Sequence, residues 1–185
     1  MLVKSKIMDS VMQVDTEEDG QIWVVLSCLP TLKLGGVYIP PSDSPYYSPA
    51  QYGALARHMT DQDRVIALGD FNARVATPQL RDRDGNYYQY RGVRDNVVNE
   101  HGRTLLNICN NNGLAVANHF HRNGNLLGGD LSFRRRERWL SEIDLCIIKN
   151  ECADMITNLH VNQTVPRSDH APLSVTVTVA ARQAA

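Results

Sequence analysis

Asp70 and Asn72 are the residues of this sequence whose types and spacing most directly suggest chemistry. They follow four apolar residues at 65–68, and Gly69 marks the point where polar side chains begin. In an extended segment, residues two apart point the same way, so the two polar side chains should converge while Phe71 turns into the core. A carboxylate beside an amide can orient a water molecule or a phosphate oxygen. The same pattern is also typical of an Asx turn that closes a strand.

Three further polar sites stand at the ends of apolar segments. Asp144 begins one such segment, Asp169 and His170 precede the final one, and Tyr38 closes another. Each residue by itself is typical of a cap, a turn or an ordinary surface position. Because packed sheets bring their strand ends together at one rim, we expect these side chains to converge.

This set of residue types suits the cleavage of a phosphodiester. His170 could donate to a phosphoryl oxygen while Asp144 orients its ring and raises its pKa. Asp70 could accept a proton from the attacking water, with Asn72 holding that water or the phosphate. Asp169 offers the hard oxygen ligand that Mg²⁺ prefers.

The elements that must position these residues are mostly short strands. Strands are expected at 21–29, 32–39, 65–68, 114–118, 145–148 and 174–179, and helices at 50–59 and 103–109, the second ended by the Asn-Asn-Asn-Gly run at 110–113. The polar segment 77–96 is predicted to be a long functional loop. Strands outnumber helices and do not alternate regularly with them, so we predict an α+β fold with stacked, mainly antiparallel sheets.

Composition narrows the class of protein. The 185 residues fit one domain over 1–185, with 43% hydrophobic and 21% charged residues and no apolar run long enough to cross a bilayer. Residues 1–9 do not resemble a signal peptide. Four scattered cysteines, Cys28 among them, suggest neither zinc nor disulfides, so a cytoplasmic or nuclear rather than secreted protein is expected. The net charge of −1 argues against a surface that coats nucleic acid everywhere.

One dense basic cluster stands out against this balance. Arg134, Arg135, Arg136 and Arg138 lie beside Trp139, between two apolar segments that predict a hairpin. Alone, such a run is typical of a solvated hairpin or helix surface.

The ordered motifs carry a family resemblance. Residues 69–72 (Gly-Asp-Phe-Asn), 141–144 (Ser-x-Ile-Asp) and 168–170 (Ser-Asp-His), with 37–41 upstream, resemble the endonuclease/exonuclease/phosphatase superfamily. Within it, the sequence is most similar to the apurinic-endonuclease-like domain of non-LTR (LINE-type) retrotransposons. The segment 99–118 resembles the helix and strand that these elements place after the first motif.

The resemblance implies a DNase I-like fold, here a partial four-layer α/β sandwich, and Mg²⁺- or Mn²⁺-dependent nicking of DNA that leaves a 3′-hydroxyl and a 5′-phosphate. The roles it implies are Asp70 as general base, Asn72 as orienter of phosphate or water, Asp144 as partner of His170, Asp169 and Asp70 near the metal, and Tyr38 against the scissile phosphate. Ser132 and Ser141 would bracket a hairpin that enters a DNA groove, and Arg134, Arg135, Arg136 and Arg138 would contact phosphates or the minor groove.

One departure from the family pattern concerns the first part of its fold. Family members begin with a β-α-β portion that carries an Asn and the principal metal-binding Glu, and this sequence is expected to lack it. Glu17 and Glu18 lie in a turn-like acidic run and are not expected to replace that Glu. Loss of those strands would open a sheet edge to which a second copy could pair as a homodimer.

Three functions therefore stay open at this point. The first is a Mg²⁺-dependent DNA endonuclease of retrotransposon type. The second is a catalytically impaired descendant that binds DNA or protein. The third is a phosphatase for phospholipids or small phosphate esters, which the arginine cluster disfavours.

Overall fold

The computed structural model describes residues 10–15, 20–26, 32–122, 124–164 and 168–178. The sequence-based expectations for residues 1–9, for Glu17 and Glu18, and for Cys28 lie outside these residues.

Thirteen strands and two α-helices make up the described fold. The strands are β1 (Val11–Asp15), β2 (Gln21–Leu26), β3 (Leu32–Tyr38), β4 (Arg64–Asp70), β5 (Gln89–Tyr90), β6 (Leu114–Val116), β7 (Phe120–Arg122), β8 (Asn125–Leu126), β9 (Phe133–Arg135), β10 (Arg138–Ser141), β11 (Asp144–Lys149), β12 (Ile156–Val161) and β13 (Leu173–Val177). The helices are α1 (Ala50–Thr60) and α2 (Glu100–Asn112), and a 3-10 helix covers Asn150–Met155. No helix within the described ranges is long and apolar enough to cross a membrane.

The main sheet has six strands in the order β1-β2-β3-β4-β11-β6. Only β3 and β4 are parallel, and the other neighbouring pairs are antiparallel. Helices α1 and α2 cover one face of this sheet, and β12 and β13 form a small second sheet on the other. The described residues thus form helix, sheet and sheet layers, and the prediction of an α+β fold with mainly antiparallel sheets is confirmed.

Strand direction brings three of the predicted site residues together where the central strands of the main sheet end; this line of strand ends is called the rim. Because β3 and β4 run parallel, their last residues, Tyr38 and Asp70, stand side by side. Strand β11 runs antiparallel to β4, so its first residue, Asp144, pairs with Asp70. Registers within one sheet therefore place residues that are 106 positions apart in the chain on the same rim.

Helix α2 differs in extent from the helix predicted at 103–109. It begins three residues earlier, because the Asn99 side chain accepts from the Gly102 N–H at 2.8 Å and caps it. It also continues through the asparagines to Gly113, whose φ of 63° ends the helix in the left-handed region. The apolar periodicity identified the buried face, with Leu105 and Cys109 fully buried, and missed both ends.

Gly69 allows β4 to lie against β3 next to the site. Its φ is +154°, and a Cβ at this position would lie 1.8 Å from the carbonyl oxygen of Val37. That contact is with backbone in the middle of the sheet, which cannot move aside easily. Only glycine therefore fits the residue that precedes Asp70.

We expect Gly69→Ala to lower the free energy of unfolding by at least about 2 kcal/mol, because it adds backbone strain to a steric clash. Gly53→Ala is the matched control: Gly53 lies on the exposed face of α1, where a Cβ meets only the end of the Arg57 side chain at 3.8 Å. That control should stabilise the protein by roughly 0.5–1 kcal/mol. Urea unfolding measures both, and equal effects would show that Gly69 is not constrained.

Candidate active site

The Asp70 carboxylate and the Asn72 side chain are joined by a tight turn. The Asn72 N–H donates to Asp70 Oδ1 at 2.8 Å, and Asn72 Nδ2 lies 3.3 Å from Oδ2 and donates to the Ile39 carbonyl at 2.9 Å. Asn72 has a φ of 47°, so the chain has left the extended conformation. The expectation that strand alternation brings the two side chains together is therefore wrong: an Asx-type turn does so. Phe71 is fully buried, as expected.

His170 lies between two carboxylates. Its Nδ1 is 2.9 Å from Asp144 Oδ2, and because an ionised carboxylate only accepts, Nδ1 carries a proton. Its Nε2 faces Asp70 Oδ2 at 4.0 Å, which is too long for a hydrogen bond. The side chains of His170, Asp70 and Asp144 are 32%, 18% and 14% exposed, so the ring is reachable from solvent while its partners are largely covered.

Burial and mutual charge interactions shift the pKa values of Asp70 and His170. Burial raises the pKa of Asp70 to about 6, with the Asn72 N–H opposing the rise and the charge of Asp144 adding to it. Burial alone would lower the pKa of His170, but the hydrogen bond and charge of Asp144, together with Asp70, outweigh it and raise that pKa. Near neutral pH the arrangement therefore favours an imidazolium beside a carboxylate that can still accept a proton.

The hydroxyl of Ser132 positions Asp144. Its Oγ accepts from the backbone N–H of Ile143 at 3.1 Å and of Asp144 at 2.9 Å, and the residue is fully buried. Ser132 stands directly before β9, at the base of the hairpin that it is expected to bracket, and its hydroxyl faces the protein interior. Ser141 is also buried, at 7% exposed, and its carbonyl accepts from the Ser132 N–H.

Asn99 holds the turn at Asn72 from beneath. Its Nδ2 donates to the Asn72 carbonyl at 2.8 Å, and its Oδ1 accepts from the N–H groups of Arg74 at 3.0 Å and Gly102 at 2.8 Å. One side chain thus caps α2 and fixes the segment after β4. Sequence reasoning missed this residue, although an asparagine directly before Glu100 is a typical N-cap signal.

A second set of buried polar side chains supports β11. The Arg74 guanidinium binds Asp95 through two bonds of 2.8 and 2.7 Å, and Asp95 also accepts from the Glu142 N–H at 3.0 Å. Asn118 donates to Glu142 at 2.9 Å and accepts from the Cys146 N–H at 2.9 Å. No local sequence pattern predicts these contacts, because the partners lie 21 to 47 residues apart in the chain.

The remaining predicted site residues lie around the same rim. The Tyr38 side chain is 49% exposed beside Asp70, and Asp169 is exposed next to His170. Arg135, Arg136 and Arg138 are exposed on the hairpin of β9 and β10, which turns through Arg136 and Glu137. Arg134 is only half-exposed and turns back toward residue 168 instead of pointing outward with the other arginines.

The aspartate carboxylates of the site suit a metal ion that keeps most of its water ligands better than a metal ion coordinated only by protein side chains. The described ranges contain no group of three or more His, Cys, Asp or Glu side chains arranged to hold a metal ion. Besides burial, the charges of Asp144 and Asp169 nevertheless raise the pKa of Asp70, and only the His170 imidazole offsets them with a positive charge. Mg²⁺ keeps several waters and typically takes one or two protein carboxylates, so this donor set fits it.

A family model described as endonuclease-reverse transcriptase matches residues 32–174, which covers most of the chain and all of the site residues above. No curated protein matches the sequence.

Solved structures of nucleic-acid-processing proteins share the fold at low identity. The 3′ phosphatase NExo from Neisseria, solved with a product DNA hairpin, is 18% identical with a TM-score of 0.62, over 91% of this chain and 72% of that one. The endonuclease domain of TRAS1, a telomere-specific non-LTR retrotransposon, is 17% identical with a TM-score of 0.55, over 86% of this chain and 63% of that one. The AP endonuclease LMAP from Leishmania major is 14% identical with a TM-score of 0.60, over 86% of this chain and 55% of that one. The chain thus spans 55% to 72% of the length of these structures.

Asp95→Asn should destabilise the protein by about 2 kcal/mol at pH 7, because it breaks an ion pair whose carboxylate is buried while the guanidinium is partly exposed. Burial opposes ionisation of Asp95, but Arg74 and the Glu142 N–H outweigh burial and hold its pKa below the ordinary value. The stabilisation is therefore complete above about pH 4 and is lost as the pH falls through the lower folded pKa. Urea unfolding of wild type and variant at pH 7 and pH 3 should show the difference shrinking.

Asp130→Asn provides the control for that experiment. Asp130 lies 3.3 Å from Arg94, whose side chain is 67% exposed, so the variant should cost less than about 1 kcal/mol. If both variants lose the same small amount, the Asp95 pair does not brace the site.

Proposed function

The chain belongs to the endonuclease-reverse transcriptase family, and we propose that it is a metal-dependent DNA endonuclease that nicks phosphodiesters and leaves a 3′-hydroxyl and a 5′-phosphate. The observation that carries the proposal is the arrangement of His170, with one ring nitrogen bound to Asp144 and the other 4.0 Å from Asp70. The two atoms are too far apart to bond to each other, so an oxygen that approaches from beside them could contact both at hydrogen-bond distance.

Each side chain has a defined task in this reaction. Asp70 accepts a proton from the attacking water, and Asn72, which its turn holds against Asp70, orients that water or the phosphate. The His170 imidazolium donates a hydrogen bond through Nε2 to a phosphoryl oxygen where negative charge develops. Asp144 keeps the ring oriented and charged, and Tyr38, which is half-exposed, would contact the scissile phosphate.

Asp70 and Asp169 would hold Mg²⁺ or Mn²⁺, which when bound neutralises charge on the leaving oxygen. DNA is the proposed substrate, because Arg135, Arg136 and Arg138 project from the hairpin while the net charge of the whole chain is −1. Binding is thereby confined to one side of the molecule. This concentration of charge favours a large polyanion over a phospholipid or a small phosphate ester.

One observation favours a second candidate, a catalytically impaired module that binds DNA or protein. Among the residues described, β12 and β13 pair only with each other, so this small sheet offers edges to which a second copy could pair as a dimer. Light scattering of the purified protein separates a monomer from that dimer.

Purified protein should nick supercoiled plasmid in Mg²⁺ or Mn²⁺, and EDTA should abolish the reaction. His170→Ala and Asp70→Asn should each reduce the rate at least about 100-fold, since each removes a proton-transfer partner. Thermal melts must show that both variants are folded. Equal rates for the folded variants and wild type would assign the nicking to a contaminant. Absence of nicking by a folded wild type that still binds DNA would establish the second candidate.

The rate of nicking should pass through a maximum with pH. Asp70 accepts a proton only when ionised, so the rate falls as the pH drops through the pKa of Asp70. Burial raises that pKa in the metal-free protein, and a cation held by Asp70 would lower it. His170 donates only when protonated, so the rate also falls as the pH rises above its raised pKa. Asp144→Asn removes the main cause of that rise and should move the alkaline limb to lower pH. An unmoved alkaline limb would contradict the role given to His170.

A further inference from the structure

Arg134 departs from the other arginines of the hairpin in what its side chain contacts. Its Nε donates to the Ser168 carbonyl at 2.8 Å, and its backbone N–H donates to the Asp169 carbonyl at 2.8 Å. Its guanidinium carbon lies 5.4 Å from the centroid of the Trp139 ring on the opposite strand of the hairpin. The side chain is thus held between the hairpin and the segment that carries His170.

The segment Ser168–Ala171 is attached to the hairpin base by further bonds. Phe133 and His170 form an antiparallel bridge, and their rings lie 5.3 Å apart. The Ala171 N–H donates to the Ser132 carbonyl at 2.7 Å, and within the segment the His170 N–H donates to Ser168 Oγ at 3.1 Å. His170 therefore owes its place opposite Asp144 to β9 rather than to a strand of the main sheet.

We propose that Arg134 is a positioning residue: its side chain holds the Ser168 carbonyl so that His170 faces Asp144 and Asp70, and so ties the hairpin to the geometry of the site. The inference rests on the proposed nuclease function for its catalytic consequence, but not for its structural one. It also withdraws Arg134 from the arginines expected to contact DNA directly.

The guanidinium group suits this task for a specific physical reason. It is planar, so it can stack on Trp139 and still direct an N–H along a fixed line to the Ser168 carbonyl. A lysine would keep the positive charge, and with it the attraction to phosphate, but it has neither the flat face nor the Nε donor. Arg134→Lys therefore separates positioning from charge.

The test compares Arg134→Lys with Arg136→Ala, a matched variant at the exposed turn of the same hairpin. For Arg134→Lys we expect kcat for nicking to fall roughly 10- to 100-fold with KM within about twofold of wild type, because the reacting groups lose alignment and DNA attraction is kept. For Arg136→Ala we expect KM to rise and kcat to stay within about twofold, since an exposed cation contributes to binding.

Hydrogen exchange on the free protein gives a second readout that needs no activity. The amide hydrogens of His170 and Ala171 should exchange at least about fivefold faster in Arg134→Lys than in wild type, and at the wild-type rate in Arg136→Ala. Trp139→Leu, which removes the stacking surface and leaves Arg134 in place, should accelerate the same amides. If Arg134→Lys fails to fold, the exchange rates of Trp139→Leu test the positioning role instead.

Two results would overturn the inference. One is unchanged exchange at His170 and Ala171 in Arg134→Lys, or in Trp139→Leu where Arg134→Lys is unfolded. The other is a rise in KM alone for Arg134→Lys, which would make it an ordinary phosphate contact. If wild type does not nick DNA, the proposed function fails, and the exchange rates still decide whether Arg134 positions the segment.

Discussion

The site is organised by the pairing of Asp70 with Asp144 across β4 and β11. Two carboxylates on adjacent strands repel each other, and partial burial removes much of the water that would screen them. A cation between them relieves this repulsion, and His170 is placed to supply one. Burial, with this repulsion adding to it, raises the pKa of Asp70, and the hydrogen bond to Asp144 and the charges of both carboxylates outweigh burial and raise the pKa of His170. A bound divalent cation would act against the same excess of negative charge.

Such a rim requires rigid support from groups that do not themselves react. Asn99 and Asn118 supply it through amides that donate and accept at once, so one side chain can join two separate backbone segments. The Arg74–Asp95 ion pair serves the same purpose. Its two parallel hydrogen bonds, together with the Glu142 N–H that binds Asp95, offset the cost of removing the Asp95 carboxylate from water. The result is a polar layer beneath the site in which each partner restricts the next.

The hairpin of β9 and β10 has two ends with different tasks. Its turn is exposed and basic, as a surface that meets phosphates must be. Its base is buried and bonded to both Asp144 and the segment of His170, through Ser132 and Arg134. A hairpin built in this way connects the surface proposed to bind DNA with the groups proposed to cleave it.

The amino-acid sequence by itself determined which residues stand at strand ends, because apolar runs, glycine and proline mark where strands stop. It also indicated the hairpin and the buried face of α2, since periodicity and turn residues are local properties. Only the tertiary structure decided that Asn72 reaches Asp70 through a turn, that Ser132 faces inward, that Arg134 binds residue 168, and that Arg74 pairs with Asp95. A polar side chain takes whatever partner the packing of distant segments leaves within reach, and that partner leaves no mark on the neighbouring sequence.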